Sequence, residues 1–169
     1  MPQSTQTVAS AGAKVHQLTP AKSETETLLI FKLSEQTFGI EVERVSEIMD
    51  PQNTARVPNA DPLAPTLINV RGSIVPVLDL RNRLGMKPAP QKHTSRMLVI
   101  DITLNDEPCK LAVMVDEVED VIEAVTEDLV SVPELGIRWP ADCFRGVSKR
   151  QDKLVILLEA SNVFALPTH

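Results

Sequence analysis

The stretch Ile68-Asn69-Val70-Arg71-Gly72-Ser73-Ile74-Val75-Pro76-Val77-Leu78-Asp79-Leu80-Arg81 restricts the architecture more than any other part of the chain. Two apolar runs flank Arg71-Gly72, so the segment reads as two strands joined at a bend. Gly72 supplies the backbone freedom that a bulge or tight turn needs. Pro76 has no N–H to give a neighbouring strand, which predicts an edge strand or one broken at that residue. Arg71 at the bend is either a solvated charge or a contact residue, and position alone favours the solvated one. Asp79 stands between two leucines, and its side chain is expected to bond nearby backbone rather than do chemistry.

A chain of 169 residues suits one domain of ordinary size, or two small barrels sharing a core. With four Phe, one Trp and no Tyr, the core must be built from Val, Ile and Leu, and the β-branched residues among these favour strands. A net charge of −6 argues against a nucleic-acid partner, which calls for a basic stripe. No run approaches the roughly 18 apolar residues of a membrane helix, so no membrane insertion is expected. The N-terminus carries no apolar stretch of the secretory kind. Cys109 and Cys143 lie in unrelated local contexts and read as reduced structural thiols of a cytoplasmic protein.

Residues 1–26 are polar and without hydrophobic period, and are expected to form a disordered tail. From Thr27 the pattern becomes that of short strands. Leu28–Leu33 and Thr37–Ile40 form a hairpin turned at Ser34-Glu35-Gln36. Glu41–Met49 places Val42, Val45, Ile48 and Met49 at helical spacing, while Val45–Ile48 fits a strand equally well. Pro58, Pro62 and Pro65 then mark a loop. After the central strand pair, Met86–Ser95 reads as a connector between two halves. The second half repeats the first. Met97–Ile102 and Lys110–Val115 form a hairpin turned at Asn105–Pro108. An acidic, valine-bearing segment follows at Asp116–Ala124, then a loop over 126–140, a strand pair over Gly146–Leu158 turned at 148–152, and a short helix over Glu159–Leu166. Short strands at regular spacing with an aliphatic core argue for two small β-barrels.

Catalytic machinery is not apparent. His16, His93 and His169 fall in the tail, the connector and the terminus, away from any rigid segment. Ser73 lacks the G-x-S-x-G elbow of an activated nucleophile. The six glycines are scattered singly, so no phosphate-binding loop exists. The carboxylates Asp116, Glu117, Glu119, Asp120 and Glu123 lack the spacing of a calcium loop. They read as the solvated face of an element whose other side carries Val118, Val121 and Ile122. No enzyme activity, cofactor or metal is expected.

The ordered pattern N-V-R-G-S-I-V-P-V-L-D-L-R resembles the central signature of the CheW family, the cytoplasmic adaptors of bacterial chemotaxis. The resemblance extends from Thr27 to about Phe164. It takes in Leu28–Leu33 with Phe38-Gly39-Ile40, Val45–Ile48, Leu111–Val118, Phe144–Val147 and Leu154–Leu158. It implies an all-β fold of two intertwined five-stranded SH3-like β-barrel subdomains with short helices. The CheW-like domain would cover residues 27–166, with subdomains over about 27–87 and 88–166 and strands shared across the seam. It implies two partners, the cytoplasmic tip of a methyl-accepting chemoreceptor and the regulatory domain of a histidine kinase. Carried over by motif position, the receptor-binding residues are Val45, Glu47, Arg71, Ile74 and Met97, and the kinase-binding residues are Ala112, Val118 and Val121. Thr66, Arg96 and Ala112 depart from the residues usual in the family. The same fold would also serve as the scaffold of a twitching-motility or biofilm pathway, or as a module that titrates a kinase without binding receptors.

Overall fold

The computed structural model describes residues 24–131 and 140–166. The first half of the chain opens with the antiparallel hairpin β1 (Thr25–Leu33) and β2 (Gln36–Glu41). A single 3₁₀ turn (Val42–Arg44) leads into β3 (Val45–Met49), which settles the two readings of that segment: the turn is helical and the rest is strand. There follow β4 (Ala55–Arg56), β5 (Thr66–Val70), β6 (Ser73–Leu78) and the one-turn helix α1 (Leu80–Arg83). The second half repeats the plan with the hairpin β7 (Arg96–Leu104) and β8 (Glu107–Val115), then β9 (Glu117–Val125), β10 (Phe144–Arg150), β11 (Lys153–Leu158) and α2 (Ala160–Val163).

Each half lends its first hairpin to the other. One sheet has the order β10-β11-β2-β1-β9 and the other β3-β7-β8-β6-β5-β4. The sheets therefore do not divide the chain near residue 87. One is drawn from residues 45–115 and the other from both sides of that span, because β3 pairs with β7 and β9 pairs with β1. The exchange is symmetric in detail. β6 runs parallel to β8, and β11 runs parallel to β2. The extra residue opposite a bulge is Ser46 on β3 and Glu119 on β9. Asp79 caps α1 and Glu159 caps α2. Asn82 donates its amide to the Pro62 carbonyl, and Asn162 donates to that of Asp142.

This topology explains the unbroken apolar runs. In β1, Leu29, Phe31 and Leu33 face a central core between the sheets, while Leu28 and Ile30 face a second core on the other side. In β7, Leu98 and Ile100 face the central core, while Met97 and Val99 face a third. Strands buried on both faces have no solvent side on which to alternate. The central core is where the two hairpins meet, with Phe31 stacked on Phe38 at 5.9 Å between ring centroids.

Three local readings need correction. β6 is not an edge strand, because it lies between β5 and β8. Its ladder to β8 starts only at Val77, one residue beyond Pro76, so the missing donor falls where no partner strand needs it. The ordered chain reaches further back than the expected tail, since β1 begins at Thr25 and Glu26 bonds Arg145 at 2.7 Å; the rest of the tail, residues 1–23, lies outside the described residues, as do 132–139 of the second loop. Asp116, assigned to a solvated acidic face, is 4 % exposed. Its carboxylate accepts from Arg81 Nη2 at 2.6 Å and from the Ser34 amide at 2.7 Å.

Burial pushes the Asp116 carboxyl upward, but Arg81, the Ser34 amide and Lys92 together outweigh it and hold it below the ordinary range. A carboxyl depressed in the folded state stabilises it fully above the unfolded value and less as pH falls through the folded one. Acid unfolding is therefore expected to set in below about pH 4 with Asp116 among its causes. Replacing Asp116 by Asn leaves Arg81 buried and uncompensated, and should cost about 3–5 kcal/mol at pH 7. The Arg81→Met, Asp116→Leu double variant should recover most of that loss. Urea unfolding at pH 7 and pH 3 checks both, and a double variant no better than the single one would show that the charges themselves hold the fold.

Candidate docking surface

The β5–β6 hairpin turns on two residues, Arg71 (φ 52°) and Gly72 (φ 86°). Left-handed backbone at both positions is the primed turn that matches the twist of paired strands. Asn69 fixes it by accepting the Gly72 amide through Oδ1 at 2.8 Å. The turn throws the Arg71 side chain off the tip of the hairpin, where it is 82 % exposed. Its guanidinium still finds a partner, since Nε lies 3.2 Å from Oε2 of Glu47 and Nη2 lies 3.2 Å from Oε1. That two-point geometry suits the flat guanidinium fork. The Glu47 hydrogen bond and charge raise the Arg71 pKa further, so the guanidinium stays charged.

The strands bearing these residues are not neighbours. β3 is at one end of its sheet, with β7 and β8 between it and the β5–β6 hairpin. The sheet must curl for Arg71 to reach Glu47. Inside the curl lie Ile68, Val70, Val75, Val77, Met97, Val99 and Ala112, so the ion pair stands at the rim of an apolar core. Ile74, 64 % exposed, points away from that core on the outer face of the hairpin, and Ile48, 47 % exposed, follows Glu47 on β3.

Of the expected receptor-binding residues, Glu47 and Arg71 are thus joined, and Ile74 is free on the adjoining surface. Val45 is half-buried against the central core, beyond the bulge that separates it from Glu47. Met97 belongs to the apolar core inside the curl. It is 0 % exposed because the inward register of β7 turns it into the curl. Ala112 is likewise 0 % exposed, opposite Val77. The expected kinase-binding residues do not converge, since Ala112 is on β8 of one sheet while Val118 and Val121 are on β9 of the other. Val118 packs half-buried on the central core, and Val121 is 51 % exposed. Arg96, whose side chain donates to the Ser95 and His93 carbonyls, lies 3.7 Å from Asp50. Ile48 was missed as a surface residue. The alternation Ser46-Glu47-Ile48-Met49 hints at it, but the bulge at Ser46 shifts which face each residue takes.

The other sheet carries an equivalent end. Asp120 occupies the register of Glu47, and Gln151 (φ 53°) that of Arg71 in the β10–β11 turn. Val121 and Leu154 stand where Ile48 and Ile74 do, and Leu154 is 62 % exposed. Here no ion pair bridges the rim positions, and a cavity of about 270 Å³ opens over Ile30, Ile122 and Val155. Its rim is charged, with Glu119 held by Lys32 at 2.8 Å and Lys153 at 3.6 Å. Lys32 holds the Glu119 carboxyl below its ordinary range against the opposing effect of burial.

Among the described residues, no group of three or more His, Cys, Asp or Glu could hold a metal ion, and no helix is long and apolar enough to cross a membrane. Asp79 accepts the Asn82 amide at 3.0 Å as a helix cap, a bond to nearby backbone as its sequence position suggests. The surface offers apolar side chains beside fixed charges, an arrangement for binding a protein.

Known proteins share this arrangement of strands. The scaffolding protein TtCheW from Thermoanaerobacter tengcongensis superposes with a TM-score of 0.72 over 85 % of this chain and 90 % of that one, and at 24 % identity the likeness concerns the fold alone. The chemotaxis protein CheW of Treponema pallidum (strain Nichols) is 28 % identical over 138 residues, 82 % of this chain and 81 % of the relative. The chemotaxis protein CheW of Bacillus subtilis (strain 168) is 28 % identical over 139 residues, 82 % of this chain and 86 % of the relative. The family model for the CheW-like domain matches residues 27–167, and the chain therefore belongs to the CheW-like domain family.

Proposed function

We propose that this protein is a non-catalytic chemotaxis adaptor of the cytoplasm, coupling chemoreceptors to a histidine kinase. The observation that carries the receptor-facing part is the Arg71–Glu47 pair at an exposed rim, flanked by Ile74 and Ile48. A helical receptor tip presents apolar side chains at one-turn spacing together with acceptors. Ile74 and Ile48 offer it apolar surface, and the Arg71 fork, already oriented by Glu47, retains N–H groups for an incoming carbonyl or carboxylate. Preorganisation of this kind reduces the ordering cost of binding. The kinase-facing part is assigned to the other sheet, around Val121, which is exposed on β9 while Val118 anchors that strand to the core. A scaffold works by holding two partners at once, which requires two separate surfaces, and Arg71 and Val121 belong to different sheets.

Arg71→Ala should leave the melting curve within a degree or two of the parent, because the side chain is on the surface and packs on no core. It should weaken binding of a receptor-tip fragment by roughly tenfold or more, since the partner's acceptor loses its donor. Isothermal titration checks the affinity, and an unchanged value would remove Arg71 from the contact. Val121→Lys should do the reverse, weakening the kinase regulatory domain by about tenfold or more while sparing the receptor fragment. If both partners weakened together, the assignment of separate surfaces would be lost. Incubation with ATP and magnesium should give no hydrolysis or phosphotransfer above buffer, and turnover that follows the protein through purification would contradict a purely scaffolding role.

A further inference from the structure

We propose that this chain can exchange halves with a second copy of itself, giving an intertwined dimer, minor beside the monomer, that opens at the exposed connector Lys87–His93. The inference rests on strand pairing and is independent of the proposed function. Within either half, the pairings are local: β1 with β2, β5 with β4 and β6, β7 with β8, β10 with β11. Every pairing that assembles a sheet from these pieces joins one half to the other: β1 with β9, β3 with β7, β6 with β8, and β11 with β2. The central core is likewise made where the hairpin of one half meets that of the other.

The covalent link between the halves is much less committed. Lys87 through His93 are all exposed, and the stretch carries Pro88 and Pro90 and belongs to no strand or helix. Its backbone is fixed at the margins, by the Met86 amide on the Arg81 carbonyl and the Lys92 amide on Ser95 Oγ. Two copies that pass this connector across to each other recover the same ladders, the same cores and the same Arg81–Asp116 pair. The dimer then differs from the monomer only in connector strain and association entropy, which is the general condition for swapping. A short linker gives the tethered half an effective concentration on the order of millimolar, so the monomer prevails at ordinary concentration unless the connector is shortened. A swapped dimer carries two complete Arg71–Glu47 rims, because β3 and the β5–β6 hairpin travel together.

The test is a full chain lacking Pro88–Gln91, which removes about 13 Å of reach. It is made in a Cys109→Ser background as two versions, Thr27→Cys and Glu123→Cys, positions paired across the β1–β9 ladder. The shortened chain should elute with the mass of two chains and a native β spectrum. The two versions, unfolded, mixed and refolded, should yield a disulfide-linked heterodimer in clear excess over either homodimer and over the same two versions refolded apart and mixed afterwards, because the two exposed cysteines meet in register only when the halves of different chains pair. A folded monomer, or a folded dimer without the cross-link, overturns the proposal. Should the shortened chain not fold, the same cysteine pair in chains with the intact connector, refolded together at millimolar concentration, decides it: heterodimer in excess over both homodimers and over a control mixed after separate refolding supports exchange, and the lack of that excess overturns it.

Discussion

The two halves of this molecule are fastened at one buried carboxylate. Asp116 sits where β8 ends and β9 begins, the point at which the chain leaves one sheet for the other. Its amide donates to the Lys32 carbonyl, and its side chain accepts the Ser34 amide and the Arg81 guanidinium. Three separate pieces of chain thus converge on one residue: the turn of the first hairpin, the start of the second crossing strand, and the helix that ends the central strand pair. Arg81 Nε is buried without a partner in this arrangement, so the guanidinium is held by position and by Asp116 rather than by a full set of bonds. A pair of this kind adds little net stability over apolar side chains of the same shape, but removing one member is costly. Its effect is to make alternative arrangements of the halves expensive.

Much of this order was legible in the chain, because hairpins are local. Turn residues, the apolar runs on either side and the glycine at the β5–β6 bend all act within a few residues, and so did the signature that identified the family. The repeat of hairpin, acidic segment and strand pair was also visible. What could not be read was which hairpin joined which partner. Leu28–Phe31 and Met97–Ile100 are apolar on both faces, so their sequence says that both sides are covered and not by what. For the same reason Met97 and Ala112 could be taken for contact residues. Inward and outward positions look alike on strands buried on two sides. Asp116 was misjudged on its neighbours: four other acids within eight residues suggested solvent, whereas its partners are 35 and 82 positions away in sequence.

The docking surface followed a similar division. Arg71 and Glu47 emerged from motif position, and their mutual contact depends on a sheet curling through several strands, which no local pattern encodes. The bulges at Ser46 and Glu119 decide which of the next residues face the core and which face solvent. A one-residue insertion reverses the alternation of a strand. That is why Ile48 and Val121 both surface at equivalent positions, although neither reads as exposed in a simple count of apolar residues.

If the proposed function holds, the near-symmetry of the two ends bears on how one small chain would hold two different partners. Backbone geometry is largely shared, with a left-handed residue at Arg71 and at Gln151, so most of the difference lies in side chains. At one end an arginine and a glutamate meet across the rim; at the other the same positions are Gln151 and Asp120, and charge has moved to Glu119, Lys32 and Lys153 one step aside. Both ends keep an exposed apolar pair in the same places, Ile48 with Ile74 and Val121 with Leu154. Equivalent apolar positions supply burial without discrimination, because that attraction has no direction. Selection between partners must then come from the charged rim, where a mismatched partner would leave Arg71 or Asp120 facing a group of like sign or no group at all. Under the proposed function, two surfaces built on one backbone plan would in this way be kept from competing for the same partner.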